Sequence, residues 1–215
     1  MAYRDDDDLE FLVNCSASDL STLVEILITD KDGEVRYTEE LTNTENYKRY
    51  SPDHTKYWQE IAAEIQCYDA NTLASMFRGG KGILYRNVLT NACEQIEVSY
   101  LDSASTQEIE QNLLMKFLEG EIEQFSTPEL KTLMDELDLN TADFTSSSTF
   151  ALVQTSIRSS GIMAYKLALI VANNITKSLL AHDLSFADNR AYRVIIPSII
   201  QVACLRAKIN LHTYG

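Results

Sequence analysis

Glycine and proline are scarce in this sequence, seven and three among 215 residues. A sandwich or barrel built from many short strands draws on both for its turns, so that shortage disfavours an all-β fold. Closely spaced cysteines are missing too. Cys15, Cys67, Cys93 and Cys204 form no CxxC pair, so neighbours cannot assemble a zinc knuckle or a thioredoxin-like motif. Buried free thiols in a reducing compartment are the expectation. No segment offers the roughly 18 uncharged apolar residues that a membrane span requires. The opening Met1-Ala2-Tyr3-Arg4 and its four following aspartates are the reverse of a cationic, apolar signal peptide. A cytoplasmic location, extending to the periphery of an inner membrane, follows as an expectation.

Catalytic signatures are also wanting. There is no GxSxG elbow, no HExxH, and no GxGxxG after a strand. His54, His182 and His212 are too isolated to define a metal site, and a lone histidine such as His54 near a helix start reads as a surface or capping residue. The pairs Glu60/Glu64 and Glu119/Glu123 have helical spacing, but without Glu-x-x-His partners they read as solvated faces rather than a di-iron site. Asp30-Lys31-Asp32-Gly33 places its glycine too early for a calcium loop and suits a tight turn. No catalytic residue, metal or cofactor is nominated, and a non-enzyme is expected.

What is present is a helical pattern with a split charge. Hydrophobic residues make up 45% of the chain, enough for a core without staples. Residues 1–140 hold 29 Asp and Glu against 11 Lys and Arg, a net −18, whereas residues 141–215 net +4. An acidic front repels phosphates and favours basic partners, which argues against nucleic acid binding. The apolar, mildly basic remainder suits a buried helical pair, and also an acidic protein face or peripheral contact with an anionic membrane through residues 150–215.

Asp5 to Asp8 sit where carboxylates cap a short helix over Leu9–Val13, with a calcium or basic-partner site as the alternative. Ser18 and Asp19 start a helix carrying Leu20, Leu23, Val24 and Leu27. Ser51-Pro52-Asp53 predicts a helix from Pro52 to Cys67, in which the lone Trp58 anchors the N-terminal core. Asn71 begins another short helix, and one follows over residues 83–97. Ser105 with Glu108, and Ser126 with Glu129, are capping boxes for helices to about Gln124 and Leu137. The polar stretch 138–148 reads as a linker with a boundary near Ser147. Phe150 to Ala181 reads as a helical hairpin or interface helix, and Pro197 as the first turn of a last helix. The fold expected is all-α, a multi-helix bundle with room for one short hairpin near residues 27–37. Its parts are an acidic helical domain, 1–140, and a C-terminal helical region, 148–215, packed on it.

Arg78-Gly79-Gly80-Lys81-Gly82 is the most unusual local stretch. Its glycines can turn amides towards an anion beside Arg78 and Lys81, although no Walker pattern exists and a plain turn between helices is the simpler reading. Tyr165, Lys166, Tyr192 and Arg193 are the candidates for an interaction surface on the C-terminal helices.

Several stretches resemble one family in the same order along most of the chain. They are Asp8-Leu9-Glu10-Phe11-Leu12, Tyr57-Trp58-Gln59-Glu60-Ile61-Ala62, the Arg78–Gly82 loop with Leu84-Tyr85-Arg86, Ala191-Tyr192-Arg193-Val194-Ile195-Ile196-Pro197, and Gln201-Val202-Ala203-Cys204-Leu205-Arg206. The sequence is identified as a member of the bacterial YaaW family, grouped with a ubiquinol–cytochrome c chaperone-like helical domain. That resemblance implies a helical fold and no established reaction. Members of the family carry a glycine- and proline-rich apolar insert before the Ala-Tyr-Arg-Val motif, where this chain runs from Leu184–Asn189 almost directly into Arg190-Ala191. Any membrane activity of that insert would be lost here. The expected function is a non-enzymatic protein-interaction module, chaperone- or adaptor-like. Alternatives are an immunity or inhibitor protein capping a basic toxin or nuclease, a peripheral membrane factor, and an anion- or nucleotide-binding enzyme at the glycine loop.

Overall fold

Hydroxyl side chains set four of the helix starts. Ser16, Thr44, Ser105 and Thr145 each accept a hydrogen bond from the backbone amide three residues on, satisfying a donor the helix cannot. At Ser105 and Ser126 the expected capping boxes are present, with Glu108 and Glu129 reaching back to the serine amides at 2.7 Å each. In the computed structural model, residues 2–29, 35–36, 40–67, 82–141, 143–180 and 192–214 are described, without the side chains of 158–159, 173–180, 192–193 and 212–214.

Among the described residues there are nine α-helices and no strand: α1 Ala17–Ile28, α2 Glu45–Tyr50, α3 Trp58–Cys67, α4 Tyr85–Gln95, α5 Thr106–Ile122, α6 Thr127–Glu136, α7 Ser146–Ser159, α8 Gly161–Leu180 and α9 Tyr192–Tyr214. The chain is an all-α multi-helix protein. Where a hairpin was allowed for, an isolated antiparallel bridge joins Thr29 to Val35, and Arg36 N–H donates to the Ile28 carbonyl at 2.8 Å. The helix expected at Asn71 lies outside the described residues.

α9 is the spine. It packs most extensively on α8 and also meets α1, α4, α5 and the 3-10 turn Glu10–Asn14. Ile196, Ile199, Ile200 and Val202 are 0 or 1% exposed, so this helix is apolar nearly all round, as a core helix must be. Each such aliphatic side chain contributes roughly 1.5–3 kcal/mol relative to exposure. The segment Val194–Leu211 is long and apolar enough to cross a membrane, with mean hydropathy 1.5, but 61% of it is covered by the protein.

Several helix starts differ from expectation. α1 begins at Ala17 behind a Ser16 cap rather than at Ser18, and α7 begins at Ser146, inside the stretch read as a linker. Residues His54–Tyr57 form a 3-10 turn, and α3 begins only at Trp58. The amides of Asp53 and His54 are spent on the Tyr50 and Pro52 carbonyls, so Pro52, whose bond to Ser51 is cis, lies in a turn ahead of the helix. Pro197 stands inside α9, because that helix already begins at Tyr192. Proline removes one internal hydrogen bond there, and beside it the buried Ser198 hydroxyl donates to the Val194 carbonyl at 2.7 Å.

In α5, Gly120 is exposed, and a Cβ added there would meet no heavy atom within 4 Å. Gly120→Ala is therefore expected to stabilise the protein by about 0.5–1 kcal/mol, visible as a raised urea midpoint.

Candidate functional site

The N-terminal aspartates do not cap the turn beside them, since Glu10–Asn14 takes no side-chain hydrogen bond at its start; Asp6 caps a distant helix instead. Leu84, at the N-cap of α4, offers no capping side chain, and its place is taken from far away in sequence. Buried Asp6 accepts the Tyr85 amide at 2.6 Å and the Gln66 side-chain amide at 3.0 Å. A carboxylate at this helix start completes an unpaired donor and meets the positive end of the dipole. Fully buried Gln66 also clasps the Arg4 backbone in both directions, donating to its carbonyl at 2.8 Å and accepting its amide at 3.0 Å.

Beside this clasp lies a buried ion pair. Arg206 of α9 approaches Glu110 of α5 through two nitrogens, at 2.9 and 3.1 Å, with the two side chains 12% and 2% exposed. Its Nη2 also donates to the Asp8 carbonyl at 2.7 Å, and its guanidinium lies 4.5 Å over the Phe11 ring. The Tyr85 hydroxyl donates to Glu110 at 2.8 Å, and Thr106 to the Asp8 carboxylate at 2.8 Å. Burial pushes the Glu110 carboxyl up while Arg206 and Tyr85 hold it down. Burial would lower Arg206, but the Glu110 charge outweighs it. Burial, reinforced by Glu110, drives the Tyr85 phenol well above its ordinary range. The cluster is closed on itself. Among the described residues, Thr149 Oγ1 is the buried side-chain polar atom without a partner, and no group of three potential metal ligands occurs.

Other polar residues are buried against expectation. Glu64 is not on a solvated face: it is 4% exposed, 3.5 Å from Arg36, and accepts the Glu40 amide at 3.2 Å. His54 is 7% exposed rather than a surface residue, and its Nδ1 lies 2.5 Å from the Tyr57 hydroxyl. Burial lowers its pKa, with Asp53 opposing. The unfolded chain, titrating near 6.5, then takes up a proton more readily than the folded one. Stability from this group is complete above about pH 6.5 and falls as the pH drops below it. The urea midpoint of the protein is expected to fall between pH 7.5 and 5 more steeply than that of His54→Gln. All four cysteines are free, and burial raises Cys15 and Cys204 to about 11 and Cys93 to about 12, so these thiols are poor nucleophiles.

The outward-facing feature is a cleft of about 450 Å³ between α5 and α7, closed at one end by the turn after α4. Met115, Val98, Phe150 and Ile157 supply its apolar wall, and Glu97, Glu119 and Lys116 its charged rim. Of the residues singled out in the glycine loop, Arg78, Gly79, Gly80 and Lys81 lie outside the described residues. Gly82 is buried beside Gln66, whose carbonyl accepts the Ile83 amide at 3.0 Å. Tyr165 and Lys166 are half-buried on α8, between the exposed Ile162 and Leu169, and Lys166 bonds Asp138. The side chains of Tyr192 and Arg193 are not among those described. Sequence reasoning missed Asp6, Glu110 and Arg206 as a unit, and missed the cleft.

A family profile described as a domain of unknown function, DUF3944, matches residues 3–37, the stretch that carries the aspartate clasp. The chain is 38% identical to a UPF0174 protein of Helicobacter pylori strain J99, over 97% of this chain and 94% of that protein. The alignment spans 238 positions, more than the 215 residues here, so the relative holds residues without a counterpart in this chain. A UPF0174 protein of H. pylori strain 26695 is 31% identical over 80% of this chain and 98% of its own. The UPF0174 protein YaaW of Escherichia coli strain K12 is 26% identical over 97% of each. No solved structure matches.

Proposed function

The chain belongs to the UPF0174 family, and from that premise and its own geometry we propose that it is a non-enzymatic protein-interaction module, chaperone- or adaptor-like. The observation that carries this reading is the cleft between α5 and α7, which none of the described residues covers, with Val98, Met115, Phe150 and Ile157 at its floor, Gln111, Asn112 and Gln154 beside them and a charged rim. A surface of that kind suits side chains of a partner, with apolar anchors inside and polar contacts around them. The buried ionisable groups support the same reading from the other side. Arg206, Glu110, Tyr85, Asp6 and Asp8 are committed to one another and to the backbone, which suits a fold-holding role.

The test is a photo-crosslinking scan in bacterial cells producing the full chain. A photoreactive residue is placed in turn at Gln154 in the cleft and at the exposed Val13, Leu101 and Leu169 elsewhere. A discrete adduct with another protein from at least one position is expected. Four positions without an adduct would overturn the module reading.

A further inference from the structure

Resting on the reading of an interaction module, we infer that residues 2–8 are a removable internal ligand. The site beneath them takes, in their place, a short segment of a partner protein with carboxylates two residues apart. This surface is separate from the α5/α7 cleft, and the chemistry of its occupant is visible because the chain's own N-terminus sits in it. Gln66 grips the Arg4 backbone from both sides, through its carbonyl and its amide, and so reads no side chain there. The Asp6 carboxylate accepts the Tyr85 amide at 2.6 Å and the Gln66 side-chain amide at 3.0 Å. Thr106 donates to the Asp8 carboxylate at 2.8 Å, and Arg206 to the Asp8 carbonyl at 2.7 Å. Asp5 and Asp7 are exposed. Four aspartates are present, but the body reads alternate ones.

What makes the segment removable is what it lacks. Of residues 2–8 only Asp6 is buried, and the apolar core starts at Leu9, 0% exposed. A chain end that adds no buried apolar side chain is where local opening comes most easily. The bonds among Glu110, Tyr85 and Arg206 do not involve it, so the body stays assembled when it lifts.

Lifting it frees four donors: the Gln66 side-chain amide, the Tyr85 N–H, the Thr106 hydroxyl and Arg206 Nη2. They stand at the positive end of an eleven-residue helix that has no side-chain cap of its own, with a guanidinium beside them. That set selects a carboxylate-bearing chain over an apolar or basic one. The net charge of −14 opposes an acidic guest at long range, but beyond about 8 Å the repulsion is screened at physiological salt. At rest the tethered segment outcompetes any guest through its high local concentration, so the site blocks itself.

The experiment titrates a fluorescent peptide copying residues 2–8 into the full chain carrying Asp6→Ala/Asp8→Ala, whose own segment no longer fits, at physiological salt. Binding is expected, and binding at least tenfold weaker to the unaltered chain, where the tethered copy competes. Register decides at equal charge. The peptide with Asp5→Asn/Asp7→Asn should bind as the parent does, and the one with Asp6→Asn/Asp8→Asn at least tenfold more weakly. Equal binding of these two would reduce the attraction to net charge and overturn the site, as would binding of neither. If the alanine variant loses its helical circular dichroism, the unaltered chain supplies the answer. Its sole tryptophan, Trp58, packs edge-on against Tyr3 with ring centroids 5.4 Å apart. An excess of unlabelled peptide carrying Tyr3→Ala should displace the segment and shift Trp58 emission, and unchanged emission would overturn the proposal. Absence of peptide binding alongside adducts in the crosslinking scan would remove this site while leaving the module reading standing.

Discussion

Arg206→Met is expected to cost the fold about 3–5 kcal/mol, because it strands Glu110, 2% exposed, as a buried carboxylate without its counter-charge. The Asp8 carbonyl loses its donor in the same step, and Phe11 its stacked cation. Arg206→Lys should recover little. A lysine offers one point charge where two nitrogens of a planar fork reach two carboxylate oxygens and Asp8 together. Adding Glu110→Met to Arg206→Met should restore much of the stability, since a well-packed apolar pair often equals a buried ion pair. Urea unfolding of the four proteins measures this, and a double variant no better than the single would show that packing, not charge, is at stake.

Gly82→Ala is the second large effect. A Cβ at this position would lie 2.2 Å from both the carbonyl carbon and oxygen of Gln66 and 2.6 Å from its Cβ. Real contacts are never that short, and two of the three obstacles are backbone, so no rotamer change relieves them. The expected loss is about 3 kcal/mol, at the upper end for overpacking, and thermal melting reads it directly. Gln66 would be pushed off the clasp it makes with Arg4 and Asp6, so limited proteolysis should find the N-terminal segment newly accessible. A variant melting within a degree of the unaltered protein would contradict the close approach.

The helices were legible because their signals are local. Ser105 with Glu108, and Ser126 with Glu129, announce two starts within four residues, and the apolar spacing of Leu20, Leu23, Val24 and Leu27 describes a face that is indeed buried. The clasp was not legible, because its parts lie far apart in sequence and nothing local distinguishes Asp6 from the three aspartates around it. A fainter signal existed for one buried charge. Glu64 is the single charge among Ile61, Ala62, Ala63 and Ile65, and its partner Arg36 lies 28 residues earlier. Glu110 and Arg206 gave no such signal, because Glu108 and Lys208 stand two residues from them and polar Gln111 and Asn112 follow Glu110. Pro197 misled because a proline usually opens a helix, whereas here apolar packing on every side outweighs the missing bond. The cleft depends on how α5 and α7 come together, which no single helix encodes.

Asp8 and Arg206 stand 198 residues apart in the chain they join. A ribosome adding about 5–20 residues per second needs roughly ten to forty seconds to travel that distance. For most of that interval the aspartate segment has left the exit tunnel while the helix that secures it has yet to be completed. The nascent chain must wait with a seam open, which is when a holding chaperone or a protease would find it.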